Sequence, residues 1–562
     1  MKQLLKNGLV INVFTGEIEE KNVLLEEDRI LGVGDYDESD ADCTVDVSGK
    51  YICPGFIDGH IHVESTMLLP AELARVCTAH GTTAIVADPH EIANVCGTAG
   101  IEYMLAASEG LPMTVYVMLP SCVPSTPFDE TGAVLEASDL APFYSHPRVL
   151  GLAEMMNYPG VLAGEEKVLR KIREARRLHK PVNGHAPLLT GKALDQYIAA
   201  GIGDDHECSS AEEAMERIRK GQWVMIRQGT AARNLEALLP LFEPPFAHRC
   251  LLVTDDRHPA DLLRSGHIDQ IIREAVSAGK SAVTAIQMAT IQAAQRFGLQ
   301  DVGAVAPGYL ADLVVLEDLD TVEISQVYYH GQKAAEKGTA VPFEYPDVPK
   351  RLQKSVLGSF ALPELRKESF VLKPESEQAR VIRIVPGQLL TEEWIADINW
   401  EKNNGIDTDR DILKLAVIER HRNTGHMGLG FISGIGMKSG AIASSVSHDS
   451  HNLIVIGTNE KDMAEAANRI REIGGGNVVV QDGEVIAEMA LPVGGLMCMH
   501  SAAVAAQLNE NVRNAVYNLG VPEQIEPFMN MAFVSLPVIP SLKMSTLGLV
   551  DVNRQEIVSL YV

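Results

Sequence analysis

The sequence predicts an α/β protein: a TIM-like (β/α)8 barrel, a small composite β domain, and an additional C-terminal α/β domain. Three observations lead there. Strand-like and helical segments alternate through residues 51–300. Short strand-and-turn segments flank that block at residues 1–50 and 301–345. The texture then changes over residues 346–562, after the polar connection PDVPKRLQKS.

The N-terminal strands (LLKNGLVINV, EKNVLLEEDRILGVG, CTVDVSG) are broken by Gly and Asp turns and are too few to close a core. VGAVAPGYLADLVVLEDLDTVEISQVYYHGQ has the same character, so the two stretches are expected to join across the block between them. Within that block the strand candidates are YICPGFIDGH, TTAIVADP, MTVYVMLP, VLGLAEM, PVNGHAP, GIGDDHE, WVMIRQG and CLLVTDD. Helical stretches such as PAELARVCTAHG, EEKVLRKIREARRLH and SAEEAMERIRKG follow most of them, the pattern of a (β/α)8 barrel. A doubly wound sheet is disfavoured because no Gly-rich dinucleotide turn follows the first strand. The last domain carries ARVIRIV, KLAVIER, NLIVIGT and NVVVQDG, with the helix KDMAEAANRIREIGG between the final two.

A formal charge of -27, from 48 basic and 75 acidic residues, repels a phosphate backbone and argues against nucleic-acid binding. No apolar stretch approaches the ~20 residues that span a bilayer. The eight cysteines form no Cys-x-x-Cys pair, and the N-terminus reads as strands rather than a targeting peptide. The expected setting is the cytoplasm, with a small-molecule substrate and further copies of the chain as partners.

Chemistry in such barrels sits where strands give way to the following loops. His60 and His62 end the first strand, where alternate residues point the same way and can grip one cation. Glu154 ends the fourth strand, His185 the fifth, His206 the sixth and Asp255 the eighth. Singly, each has an ordinary explanation as a loop acid, a half-buried histidine or a helix cap. Together they form a set suited to Zn, Fe(II) or Mn(II), with a carboxylate able to bridge two ions. Two ions about 3.5–4 Å apart polarise one water, and a metal lowers its pKa to roughly 7. Asp255, or its neighbour Asp256, is placed to move the proton. The residues themselves therefore point to a binuclear metal hydrolase.

Two further clusters stay open. Asp88 and His90 follow the second strand and are partners that orient the ligands, an additional metal site, or loop residues. His448, Asp449 and His451 precede the strand NLIVIGT and either form a polar loop or reach the site. His90-Glu91 is not a zincin motif, since Asn94 stands where the second histidine belongs. His62-Val63-Glu64 mimics half of a cytidine-deaminase motif whose Pro-Cys-x-x-Cys half is missing.

PGFIDGHIHVEST resembles the first-strand signature of the amidohydrolase superfamily. The resemblance implies a metal barrel beside a composite β domain. Many members bridge their metals with a carboxylated lysine on the fourth strand, whereas GLAEMMNYPG offers Glu154. Within the superfamily, HIHVEST, ADPHEIANV, LAEMMNYPG, NGHAP, DDHE, TDDRHP and SHDSHNLIVIG resemble the bacterial adenine deaminases, over nearly the whole length. That likeness implies a bridging Glu154, a centre of Fe(II) or Mn(II) with Zn as an alternative, and hydrolysis of adenine to hypoxanthine and ammonia. Another aminopurine, such as an N6-substituted adenine, or a cyclic amide is the alternative substrate. Arg257 and His258 are candidates for reading the purine edge by sequence proximity.

Overall fold

The computed structural model describes residues 1–385 and 390–562. Five parallel strands run in the spatial order Val182–Gly184, Val149–Met155, Thr114–Leu119, Thr82–Ala87, Phe56–Ile61. Three more, Asp204–Asp205, Trp223–Arg227 and Cys250–Val253, form a second parallel ladder. At one seam Asp255 N donates to His60 O at 2.9 Å; at the other Gly203 N donates to Val182 O at 3.0 Å. The eight strands thus make a TIM-barrel-like ring. The sixth strand is only two residues long. It is held largely by side chains, with Gly184 N donating to Asp204 Oδ1 at 2.8 Å and Ala186 N to Asp205 Oδ2 at 2.9 Å.

The first seam is also tied through the core. Asp58 accepts from Thr254 N at 3.1 Å and from Thr254 Oγ1 at 2.5 Å, and faces His267 Nε2 at 3.1 Å, all fully buried. The packing at this closure is close: a Cβ on Gly59 would lie 2.4 Å from Leu251 Cδ1. The ring interior is filled by Ile57, Val86, Met118, Leu251 and Val253.

The run expected as one strand from Tyr51 to His60 is two. Tyr51–Pro54 pairs with Leu313–Leu316 and with Leu9 and Val10, in a nine-stranded sheet built from both sides of the ring. Only Phe56–Ile61 belongs to the ring. Pro54 lacks a ladder donor, and at Gly55 the chain passes so close to Thr83 that a Cβ would lie 2.1 Å from its Oγ1. The change of sheet therefore falls at Pro54-Gly55.

Beyond Lys350–Leu357, an eight-stranded sheet runs Thr391–Asp397, Gln378–Ile384, Met427–Ser433, Leu413–Ile418, Leu453–Gly457, Ala441–Ser444, Gly476–Gln481, Glu484–Ala490. Its longest helices are Glu460–Ile473 and Ala502–Asn518. Asn459 starts the first by accepting from Asp462 N at 2.8 Å, which satisfies an otherwise orphaned donor. Ile61, Leu68 and Leu73 of the ring share one apolar core with Leu415, Ile454 and Val512, so this region packs directly on the ring. Among the described residues, no helix is long and apolar enough to cross a membrane.

Gly55→Ala is expected to destabilise the protein by about 1–3 kcal/mol, because Thr83 must move to admit the methyl group. Chemical denaturation checks this, and an unchanged midpoint would show that the passage tolerates a side chain.

Candidate active site

The strand ends converge on one cavity, lined by His62, Glu154, His185, His206 and Asp255. Glu154 lies at its centre, 3% exposed. Its Oε2 is 2.7 Å from His185 Nδ1 and 3.3 Å from His206 Nε2. Its Oε1 is 3.3 Å from His62 Nε2 and 3.9 Å from His60 Nε2. Tyr197 aligns the fourth and fifth strand ends: its hydroxyl accepts from His185 N at 3.0 Å and donates to Met155 O at 2.8 Å.

Asp255 closes the group from the eighth strand, its Oδ1 3.2 Å from His62 Nε2 and 3.6 Å from His60 Nε2. A left-handed backbone (φ 59°) separates it from Asp256. Asp256 Oδ1 instead lies 2.5 Å from Ser65 Oγ, which is also 2.9 Å from Glu91 Oε1. Arg257 and His258 do not line the cavity. Arg257 bonds the Gln228 carbonyl and Gln270, and His258 faces a smaller neighbouring cavity with Ser65 and Phe528.

Both further clusters reach the site. His90 Nδ1 is 3.1 Å from Asp88 Oδ2 and 3.6 Å from Glu154 Oε1, while its Nε2 is 3.6 Å from Asp449 Oδ1. His448 lines the cavity, with Nδ1 3.3 Å from Glu91 Oε1 and its ring stacked 4.5 Å from Phe533. His451 stands behind it, ring centroids 5.6 Å apart. Phe533, Leu536 and Ile539 supply an apolar wall from the C-terminal region.

Sequence reasoning missed a clamp. Arg227, at the end of the seventh strand, donates to Asp255 Oδ2 at 2.6 Å and to both oxygens of Glu207, at 2.5 and 3.0 Å. Glu207 Oε1 in turn lies 3.2 Å from His206 Nε2. The available signal was an arginine ending an apolar strand, beside the strand that ends in His206-Glu207. Arg227 is the one lysine or arginine among the described residues lining the cavity, against Glu91, Glu154, Glu207, Asp255, Asp256 and Asp449.

Burial opposes charge on Asp255, yet Arg227, His60 and His62 hold its carboxyl well below the usual range. Glu154 is likewise buried but held low by His185, His206 and His62. Glu91 goes the other way: burial, then the charges of Glu64 and Asp256, push it well above the usual range.

These residues fit divalent cations. His62 Nδ1 lies 3.1 Å from the Asp88 carbonyl, where an N–H is required, which turns the Nε2 lone pair toward the oxygens of Glu154 and Asp255. His60 Nε2, which faces Glu154 and Asp255, is buried without a hydrogen-bond partner. Lone pairs and carboxylate oxygens that converge out of water call for positive charge between them. Grouped by proximity, His60, His62 and Asp255 form one donor set, His60, Glu154 and His206 another, and His185, His206 and Glu207 a third.

Comparison with known proteins gives the same answer from sequence. Residues 51–334 match the amidohydrolase family, and residues 388–556 match the adenine deaminase C-terminal domain. Adenine deaminase 2 of Carboxydothermus hydrogenoformans is 47% identical over 556 residues, 99% of this chain and 96% of that protein. The adenine deaminase of Desulfatibacillum aliphaticivorans is 42% identical over 559 residues, 99% and 97% of the two chains. A solved D-hydantoinase aligns with TM-score 0.48 and 17% identity, over 62% of this chain and 97% of that one. Fold, site and family match together define an amidohydrolase, a class whose barrel holds a divalent metal centre. Within that class, the chain belongs to the adenine deaminase family.

Arg227→Met leaves Glu207 and Asp255 buried without their cation, and is expected to cost the metal-free protein about 3–5 kcal/mol. Denaturation of apo protein measures it; a wild-type midpoint would show that the clamp contributes nothing.

Proposed function

We propose that the chain hydrolyses adenine to hypoxanthine and ammonia at this cavity. The observation that carries the substrate is the likeness to adenine deaminases along 99% of the chain, including the C-terminal region that supplies part of the cavity wall. The reading divides the chain into a (β/α)8 barrel (51–300), a composite β domain (1–50 with 301–345) and a C-terminal α/β domain (346–562). The ring ladders and the nine-stranded sheet support that division, with Tyr51–Pro54 transferred to the β domain. Eight free cysteines are consistent with a cytoplasmic setting.

In this reading His60, His62 and Asp255 would hold one divalent ion and His185 and His206 the other, with Glu154 within reach of both sets; N and O donors suit Fe(II), Mn(II) or Zn. The bound ions supply Lewis acidity and a nucleophilic water at neutral pH. The remaining work falls to the chain. Arg227 anchors Asp255 at Oδ2 and holds the carboxylate at the cavity, where it would take a proton from the attacking water and deliver it to the departing nitrogen. Attack at C6 puts the displaced electron pair on N1, which takes one of the two protons of the water; the other leaves with the amino group as ammonia, and C6=O forms. Asp256 and Glu91, linked through Ser65, face the cavity as polar partners for the purine edge, while Phe533, Leu536 and Ile539 exclude water from the ring faces. With Arg227 already bound to two carboxylates, the described residues lining the cavity offer no phosphate cradle, which favours a free base over a nucleotide.

Metal-loaded protein is expected to release ammonia from adenine, and no turnover on adenine would refute the assignment. Asp255→Asn should lower kcat by about 10²–10⁴-fold, the range for a positioned proton-transfer group. Near-normal turnover by that variant would move the shuttle elsewhere.

A further inference from the structure

We propose that the chain carries a third divalent-cation position, built from Asp88, His90 and Oε1 of Glu154, where the ring meets the C-terminal region. It rests on the two-ion reading above and extends it. His62, Asp88, His90 and Glu154 each direct a ligand-type atom into one space, all within 4.8 Å of one another. None of the four is more than 3% exposed. His62 is already committed, its Nε2 facing Glu154 and Asp255. Asp88 and His90 are not used by either ion of the pair.

Their atoms are set for ligation. Asp88 Oδ1 accepts from His90 N at 3.1 Å, which fixes the carboxylate and turns Oδ2 inward. Asp88 Oδ2 and His90 Nδ1 are both buried without a hydrogen-bond partner. They lie 3.1 Å apart, with Glu154 Oε1 3.6 Å from the same nitrogen. The other nitrogen, His90 Nε2, is 3.6 Å from Asp449 Oδ1. A histidine that binds a metal through one nitrogen commonly presents its other N–H to a carboxylate, which sets the tautomer and raises ligand basicity. Here that carboxylate comes from the C-terminal region. Water completes the coordination, and one nitrogen with two carboxylate oxygens suits Mn(II), Fe(II) or Zn(II). A cation so held ties the C-terminal region to the ring through Asp449 and His90.

Anaerobic titration of apo protein with Mn(II), with elemental analysis of the retained metal, tests the proposal without reference to activity. Wild-type protein is expected to saturate at three ions per chain, and His90→Asn and Asp88→Asn at two. Asp449→Asn touches no ion directly; it should keep three, with the weakest bound about 10–100-fold more weakly. Saturation of both wild type and His90→Asn at two overturns the third position while the two-ion reading stands. Wild type at two with His90→Asn at one assigns His90 to the pair and overturns it equally. Wild type below two overturns the two-ion reading itself. If the ring variants fail to fold, Asp449→Asn decides: unchanged affinity at every site overturns the role of Asp449.

Discussion

The structure depends on one buried carboxylate facing two sets of imidazoles. Glu154 is almost wholly out of water, yet His60 and His62 stand on one side of it and His185 and His206 on the other. A lone carboxylate so buried is costly, and the imidazoles on either side lower that cost by holding the carboxyl well below the usual range. In the proposed reading, divalent cations would share its two oxygens. The surrounding architecture serves that sharing: Tyr197 sets the fourth and fifth strand ends together, and the Asp58–Thr254 bonds fix the eighth against the first.

A second set of interactions regulates where negative charge resides. Arg227 divides its guanidinium between Glu207 and Asp255, leaving one oxygen of Asp255 directed at the histidines. Glu91 and Asp256 are turned to Ser65 on the cavity wall and away from the metal-facing cluster. The C-terminal region takes part in the site, because His448, Asp449 and Phe533 line the same cavity as the strand ends.

Much of this was legible in the sequence, for physical reasons. Apolar runs that end in His, Glu or Asp place those residues at one rim once strands and helices alternate, so His60, His62, Glu154, His185, His206 and Asp255 could be named before their neighbours were known. The break at Gly55 was hidden because apolar character continues through Pro54-Gly55 while the chain changes sheets. The Glu207–Arg227–Asp255 clamp joins three strands and needs their spatial order. Arg257 misled for the opposite reason: adjacency to Asp255 says nothing about direction once a left-handed residue has turned the chain. The composition of the His448–His451 loop advertised ligands, but its distance from the barrel in sequence concealed their destination.

The most direct test of the shared carboxylate is anomalous diffraction from crystals of Mn(II)-loaded protein. The account predicts a peak against each oxygen of Glu154, one among His60, His62 and Asp255 and one between His185 and His206, in addition to the third position proposed at Asp88 and His90. A single peak, or peaks that leave Glu154 untouched, would contradict it.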